Sequence, residues 1–113
     1  MVVMRKPTPE GLVKSATIRY LKLKGWWTQI NVQQGFGNVR GRPDLEALKR
    51  GITIYIECKA GKGKLSRYQI QYISRLRAYG AFVLVVHSTE EAMRDIDRIE
   101  ERLWPGENTR RLI

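Results

Sequence analysis

At 113 residues, with 42% hydrophobic and 28% charged side chains, the sequence has room for one domain with a modest core, spanning 1–113, and is too apolar to read as disordered. One cysteine and one histidine exclude an intrachain disulfide and the usual structural zinc site. The longest apolar run, residues 81–86, is too short to cross a membrane, and the N-terminus has no apolar leader core, so a cytoplasmic location with no membrane partner is expected. The net charge of +10 is unevenly spread: residues 1–80 hold 16 Lys/Arg against four acids (Glu10, Asp44, Glu46 and Glu57), a net +12, whereas residues 81–113 carry −2. Such a field favours a polyanion, nucleic acid before anionic lipid.

Thr8-Pro9-Glu10 has the form of a helix start, and Leu12, Val13, Ala16, Tyr20, Leu21 and Leu23 form a helical stripe ended by Gly25. Residues 26–32 alternate as a first strand. Residues 33–42 form a glycine-containing loop with Arg40 and Arg42. A second strand over 43–49, a two-residue Arg50-Gly51 turn and a third strand from Ile52 make a hairpin, followed by a Gly-Lys loop over 60–65. Ser66-Arg67-Tyr68-Gln69 is a capping box opening a helix that stops at Gly80. Residues 81–87 read as a strand buried on both faces. Ser88 to Glu91 forms another capping box, opening a last helix with Ala92, Met93, Ile96, Ile99 and Leu103 inward. The order α-β-β-β-α-β-α describes an α/β fold, and a helix between the last two strands makes its sheet mixed.

Alternation along the third strand sends Ile52, Ile54, Ile56 and Cys58 to one face and Thr53, Tyr55, Glu57 and Lys59 to the other. With a two-residue turn, Lys49 pairs with Ile52 and Asp44 falls opposite Glu57; a slip of one residue separates the two acids. Two carboxylates that close repel unless a cation lies between them. Carboxylates that hold Mg²⁺, beside a lysine that steadies an anionic transition state, suit phosphodiester hydrolysis. Taken alone, Glu57 and Lys59 could equally form an exposed ion pair. Glu46, opposite Tyr55, ranks below Asp44. Glu10 reads either as a helix-dipole acid or as a further group at the metal site, and Gln69 either as half of a capping box or as a side chain aimed at the active end. The loops over 35–41 and 61–65 lack nucleotide-binding spacing and suit a phosphate backbone better, through Arg40, Arg42, Lys62, Lys64 and Arg67. Trp26, Trp27 and Tyr20 are expected in the core, His87 in a structural role and Cys58 as a small core residue.

The arrangement Glu10 … Pro43-Asp44 … Glu57-Cys58-Lys59 resembles the PD-(D/E)xK nuclease superfamily. Gly41-Arg42-Pro43-Asp44, Ile56-Glu57-Cys58-Lys59, Lys64-Leu65-Ser66-Arg67-Tyr68-Gln69 and residues 80–86 are similar to a VRR-NUC domain, and small Holliday junction resolvases look similar too. The resemblance implies a restriction-endonuclease-like core and a Mg²⁺-dependent endonuclease in which Mn²⁺ substitutes. Asp44, Glu57 and the Cys58 carbonyl would bind metal, Lys59 would orient or activate water, and Glu10 and Gln69 would complete the site. It also implies a viral or bacterial origin and a homodimer that cuts branched DNA. Adjacent Trp26 and Trp27 with Tyr68, Tyr72, Tyr79 and Trp104 exceed what so small a core needs, which points to a dimer as well. The alternatives are a flap, end or duplex nuclease and a non-catalytic nucleic-acid-binding module of the same fold.

Overall fold

The computed structural model describes residues 6–31 and 40–107. Helix α1 (Pro9–Leu23) is followed by strands β1 (Trp27–Ile30), β2 (Leu45–Lys49) and β3 (Ile52–Cys58), helix α2 (Arg67–Ala78), strand β4 (Phe82–Val86) and helix α3 (Thr89–Leu103). The expected α-β-β-β-α-β-α order is therefore present. The sheet order is β1-β2-β3-β4, antiparallel except for the β3–β4 pair, which is parallel and joined through α2. No helix among the described residues is long and apolar enough to cross a membrane. The end of the expected first strand and most of the expected 33–42 loop lie outside the described residues.

Local chemistry explains the boundaries. Thr8 Oγ1 accepts the Gly11 N–H (3.0 Å) at the start of α1. At its end, Gly25 with φ 86° lets its own N–H reach the Lys22 carbonyl and the Trp26 N–H reach the Leu21 carbonyl, satisfying two end carbonyls. The same pair of bonds closes α2 at Gly80 and Ala81. The Arg50-Gly51 turn has positive φ at both residues (50° and 80°), the two-residue geometry that matches strand twist. It fixes the β2–β3 register with Lys49 opposite Ile52.

One sheet face packs on α1 and α3. Leu45, Ala47, Ile54, Ile56, Cys58 and Val86 are buried there with Val13, Leu21, Ala92 and Ile96. Helix α2 lies on the other face, against β4, and buries Ile73 and Val83. Several sequence expectations are corrected. Leu12 and Leu23 are exposed, while Thr17 takes the buried place between Val13 and Leu21; its hydroxyl is satisfied by the Val13 carbonyl (2.7 Å). Met93 is exposed, and Glu100 is buried in its stead. Only half of the Ser88 capping box forms, from the Glu91 N–H to Ser88 Oγ (3.1 Å). Strand β4 is at the sheet edge and is not buried on both faces, with Phe82, Leu84 and Val85 half-buried. Trp26 is buried and Trp27 exposed.

At the end of the sheet far from Asp44, Lys49 is turned into the core by strand parity. Its Nζ lies 2.5 Å from Glu100 Oε2 and donates to the Lys24 carbonyl (2.8 Å), between the rings of Trp26 and Trp104. Lys24 Nζ is 3.3 Å from both Glu100 and Asp97, and Asp97 accepts from the Tyr20 hydroxyl (2.6 Å). This cluster ties α1, β2 and α3 together. Removing one member of a buried pair leaves a buried charge alone, so Glu100→Ala is expected to lower stability by about 3 kcal/mol. Arg50→Ala, which breaks an exposed pair with Glu107 and a contact with the Trp104 ring, should lower stability far less, read as a much smaller shift in the urea midpoint.

Candidate active site

Asp44 and Glu57 meet at the open end of the β2–β3 hairpin. The register that sets Leu45 opposite Ile56 carries Asp44 to Glu57 one step further. Each carboxylate accepts a backbone N–H from the other strand: Glu57 Oε1 from Asp44 (3.2 Å), and Asp44 Oδ2 from Cys58 (3.0 Å). Lys59, beyond the end of β3, brings Nζ to 3.5 Å from Glu57 Oε2. Its backbone N–H donates to the Val86 carbonyl (2.8 Å), continuing the β3–β4 ladder and fixing the lysine's position.

Gln69 combines the two readings that its sequence position left open. Its Oε1 accepts the Ser66 N–H (2.8 Å) while its own N–H donates to Ser66 Oγ (3.2 Å), completing the capping box. Its Nε2 donates to Glu57 Oε2 (2.9 Å). The start of α2 is thereby fastened to the carboxylate pair.

Asn31 and Gly41 gave little sequence signal, whereas His87 was expected in a structural role. Buried Asn31 donates from Nδ2 to the Pro43 carbonyl (2.9 Å), and its N–H donates to the Asp44 carbonyl (2.7 Å), so it holds the approach to Asp44. Gly41, with φ 86°, runs so close to α2 that a Cβ there would lie 2.1 Å from the Tyr68 carbonyl oxygen. A glycine just before Arg-Pro-Asp was the available hint. His87 Nε2 donates to the Gly63 carbonyl (3.0 Å) and steadies the loop between Lys59 and Ser66.

The remaining candidates separate by place. Glu10 is exposed in the first turn of α1, and among the described residues no three Asp, Glu, His or Cys side chains converge as a metal cluster. Glu46 is engaged by Arg42 (2.7 Å) and Asn31 (3.3 Å). Arg40 lies over the Tyr68 ring (5.1 Å), whereas Lys62, Lys64 and Arg67 are exposed around the loop leading into α2. Cys58 is fully buried and its thiol is pushed up to about 12 by burial and by the charge of Asp44, so it stays protonated.

Burial raises the Glu57 carboxyl to about 7, and the charge of Asp44 adds to the rise against the opposing pull of Lys59. Oxygen donors whose charges are not balanced suit a hard divalent cation, which needs only one or two carboxylates beside water and phosphate oxygens. The facing carboxylates of Asp44 and Glu57 therefore suit Mg²⁺ or Mn²⁺ as a donor pair.

Solved structures share this architecture, two of them described as VRR_NUC domains. One described as a VRR_NUC domain superposes with a TM-score of 0.70 at 27% identity, over 80% of this chain and 96% of that one. The chain carries the VRR_NUC fold. A second, described as a VRR_NUC domain protein, has a TM-score of 0.70 at 18% identity, over 85% of this chain and 91% of its own, and supports the fold alone. No family model and no curated protein sequence matches. The VRR_NUC fold is consistent with the PD-(D/E)xK superfamily.

The raised Glu57 carboxyl has a measurable consequence. The folded state holds a proton that the unfolded state has released above pH 4.5, so without metal, stability falls as pH rises from 4.5 through 7. Urea midpoints at pH 5 and pH 8 should show this loss, and Glu57→Gln should remove most of the difference.

Proposed function

We propose that this VRR_NUC domain is a metal-dependent DNA endonuclease. The observation that carries the reading is the facing Asp44–Glu57 pair with Lys59 3.5 Å from Glu57, in a fold shared with VRR_NUC domains. Asp44, Glu57 and the Cys58 carbonyl would hold Mg²⁺, or Mn²⁺ in its place. When bound, the ion would polarise the scissile phosphate and lower the pKa of the attacking water. Lys59 would offset the charge that develops on the phosphate as water attacks. Gln69 would hold Glu57 in its coordinating orientation through the bond at 2.9 Å. Glu10, exposed on α1, would act only through water or substrate.

DNA fits the charge. Arg40 and Arg42 line the hollow at Asp44 and Gln69, and exposed Lys62, Lys64 and Arg67 lie in the chain between Lys59 and the first turn of α2. Branched DNA, such as a four-way junction, is the proposed substrate, cut in paired strands by a homodimer with one site per copy. Exposed Trp27 and Leu48, cross-strand partners on β1 and β2, offer apolar area for a partner copy.

Incubating the purified chain with four-way junction, flap and linear duplex, in Mg²⁺ and in chelator, tests this. Junction cleavage in Mg²⁺ alone is expected; equal rates on linear duplex would remove the branched preference, and no cleavage of any substrate would favour a binding module. Asp44→Asn, Glu57→Gln and Lys59→Ala should each slow cleavage at least about 100-fold while DNA binding survives. Replacing Lys62 and Lys64 with Ala should flatten the salt dependence of binding by about two phosphate contacts. Light scattering at micromolar concentration should return the dimer mass.

A further inference from the structure

The sheet face that presents Glu57 is only partly covered by α2. Gln69, Tyr72, Leu76 and Tyr79 follow one another at helical spacing along the helix edge, a stripe about 15 Å long. Its first member touches Glu57. Its other end, with Thr53 and Tyr55 of β3, walls a cavity of about 640 Å³. Two smaller hollows lie between. One of about 350 Å³ sits against Asp44 and Gln69, and one of about 230 Å³ against Tyr72 and Arg75; Arg40 and Tyr68 line both. Tyr72 and Arg75 in turn line the large cavity. The three hollows adjoin through these shared residues and together mark out a trench along α2 that starts at Asp44 and Gln69.

We propose that this trench takes an unpaired DNA strand leaving the cut site, with a base stacked on Tyr72 and Tyr79 in the large cavity and with Arg40 and Arg75 on its phosphates. The proposal rests on the DNA-cleavage reading and adds to it a subsite that holds a base. The cavity has the size of a small-ligand site. Its walls combine aromatic faces with arginine, the pairing that binds single strands without regard to sequence. Tyr79 is 89% exposed, so its ring gains nothing from the isolated fold and is free to stack. Arg40 already lies on the Tyr68 ring, which sets its guanidinium at the trench rim. A second copy is the rival occupant. It would bring a further +10 charges to an arginine-lined trench, whereas a DNA strand brings phosphates and flat bases together.

Fluorescence anisotropy on the full chain in chelator, where nothing is cut, decides the matter. The probes are labelled oligothymidylate and an abasic strand of equal length. Wild type should bind the thymidylate about tenfold more tightly, in line with one stacked base. Tyr79→Ala should remove most of that ratio and Tyr79→Phe should keep it, while Arg75→Ala should weaken both probes alike; circular dichroism confirms folding of each variant. Equal affinity of wild type for both probes overturns the proposal. So does a ratio that survives in Tyr79→Ala, and a lowered sedimentation mass in that variant with the ratio intact would assign the trench to a second copy. Because no metal is present, a base-dependent ratio in a chain that never cleaves DNA would count against the nuclease reading alone.

Discussion

The β2–β3 register is the constraint on which the site depends. Side chains alternate with a period of two, so a slip of one residue would send Glu57 into the core and Ile56 out to the site. Register is set at the far end of the hairpin by Arg50 and Gly51, both at positive φ. A left-handed arginine costs about 1 kcal/mol, and Arg50 is held there by Glu107 (2.8 and 2.9 Å) and by the face of Trp104 at 4.9 Å. Lys49, the residue before the turn, is locked by Glu100 into the core face. Shifting the strand would pull this lysine from its partner, so the buried ion pair at one end of the hairpin guards the alignment of two acids at the other.

A second coupling runs through α2. Helix starts leave N–H groups without partners, and Ser66 with Gln69 satisfies two of them. The same Gln69 side chain has an amide N–H₂ left over, and the close pass of Gly41 against Tyr68 packs the Asp44 approach onto this first turn. The cap that begins the helix and the contact that orients Glu57 are therefore one side chain. Loss of helix order at Ser66 would loosen the site, and the trench along α2 would widen with it.

The sequence shows the hairpin, its turn and the opposition of Asp44 to Glu57 because these follow from parity and turn length, which are local rules. Helix limits were legible for the same reason, since Thr8, Ser66, Gly25 and Gly80 act on their immediate neighbours. The positions that periodicity left unassigned depend on partners that it does not show. Thr17, Lys49 and Glu100 are polar residues in apolar places, and each is acceptable only because of a partner: the Val13 carbonyl for Thr17, and each other for Lys49 and Glu100. Leu12 and Leu23 are apolar but lie off the face that α1 turns to the sheet. Asn31 could not be singled out, because its role rests on backbone atoms of Pro43 and Asp44 across the β1–β2 connection.

The placement of the acids also explains how the fold tolerates their repulsion. Glu57 is almost fully buried, and a carboxylate there, facing Asp44, disfavours its own charge. Three donors offset part of that cost: the Asp44 N–H, the Gln69 amide and the Lys59 ammonium. None belongs to the main hydrophobic cluster, which lies on the opposite sheet face. Charge can therefore change at the site without disturbing that packing. A site assembled at strand ends and a helix cap, rather than within the core, can stay short of positive charge until a cation supplies it, and that imbalance would contribute to the free energy with which such a cation binds.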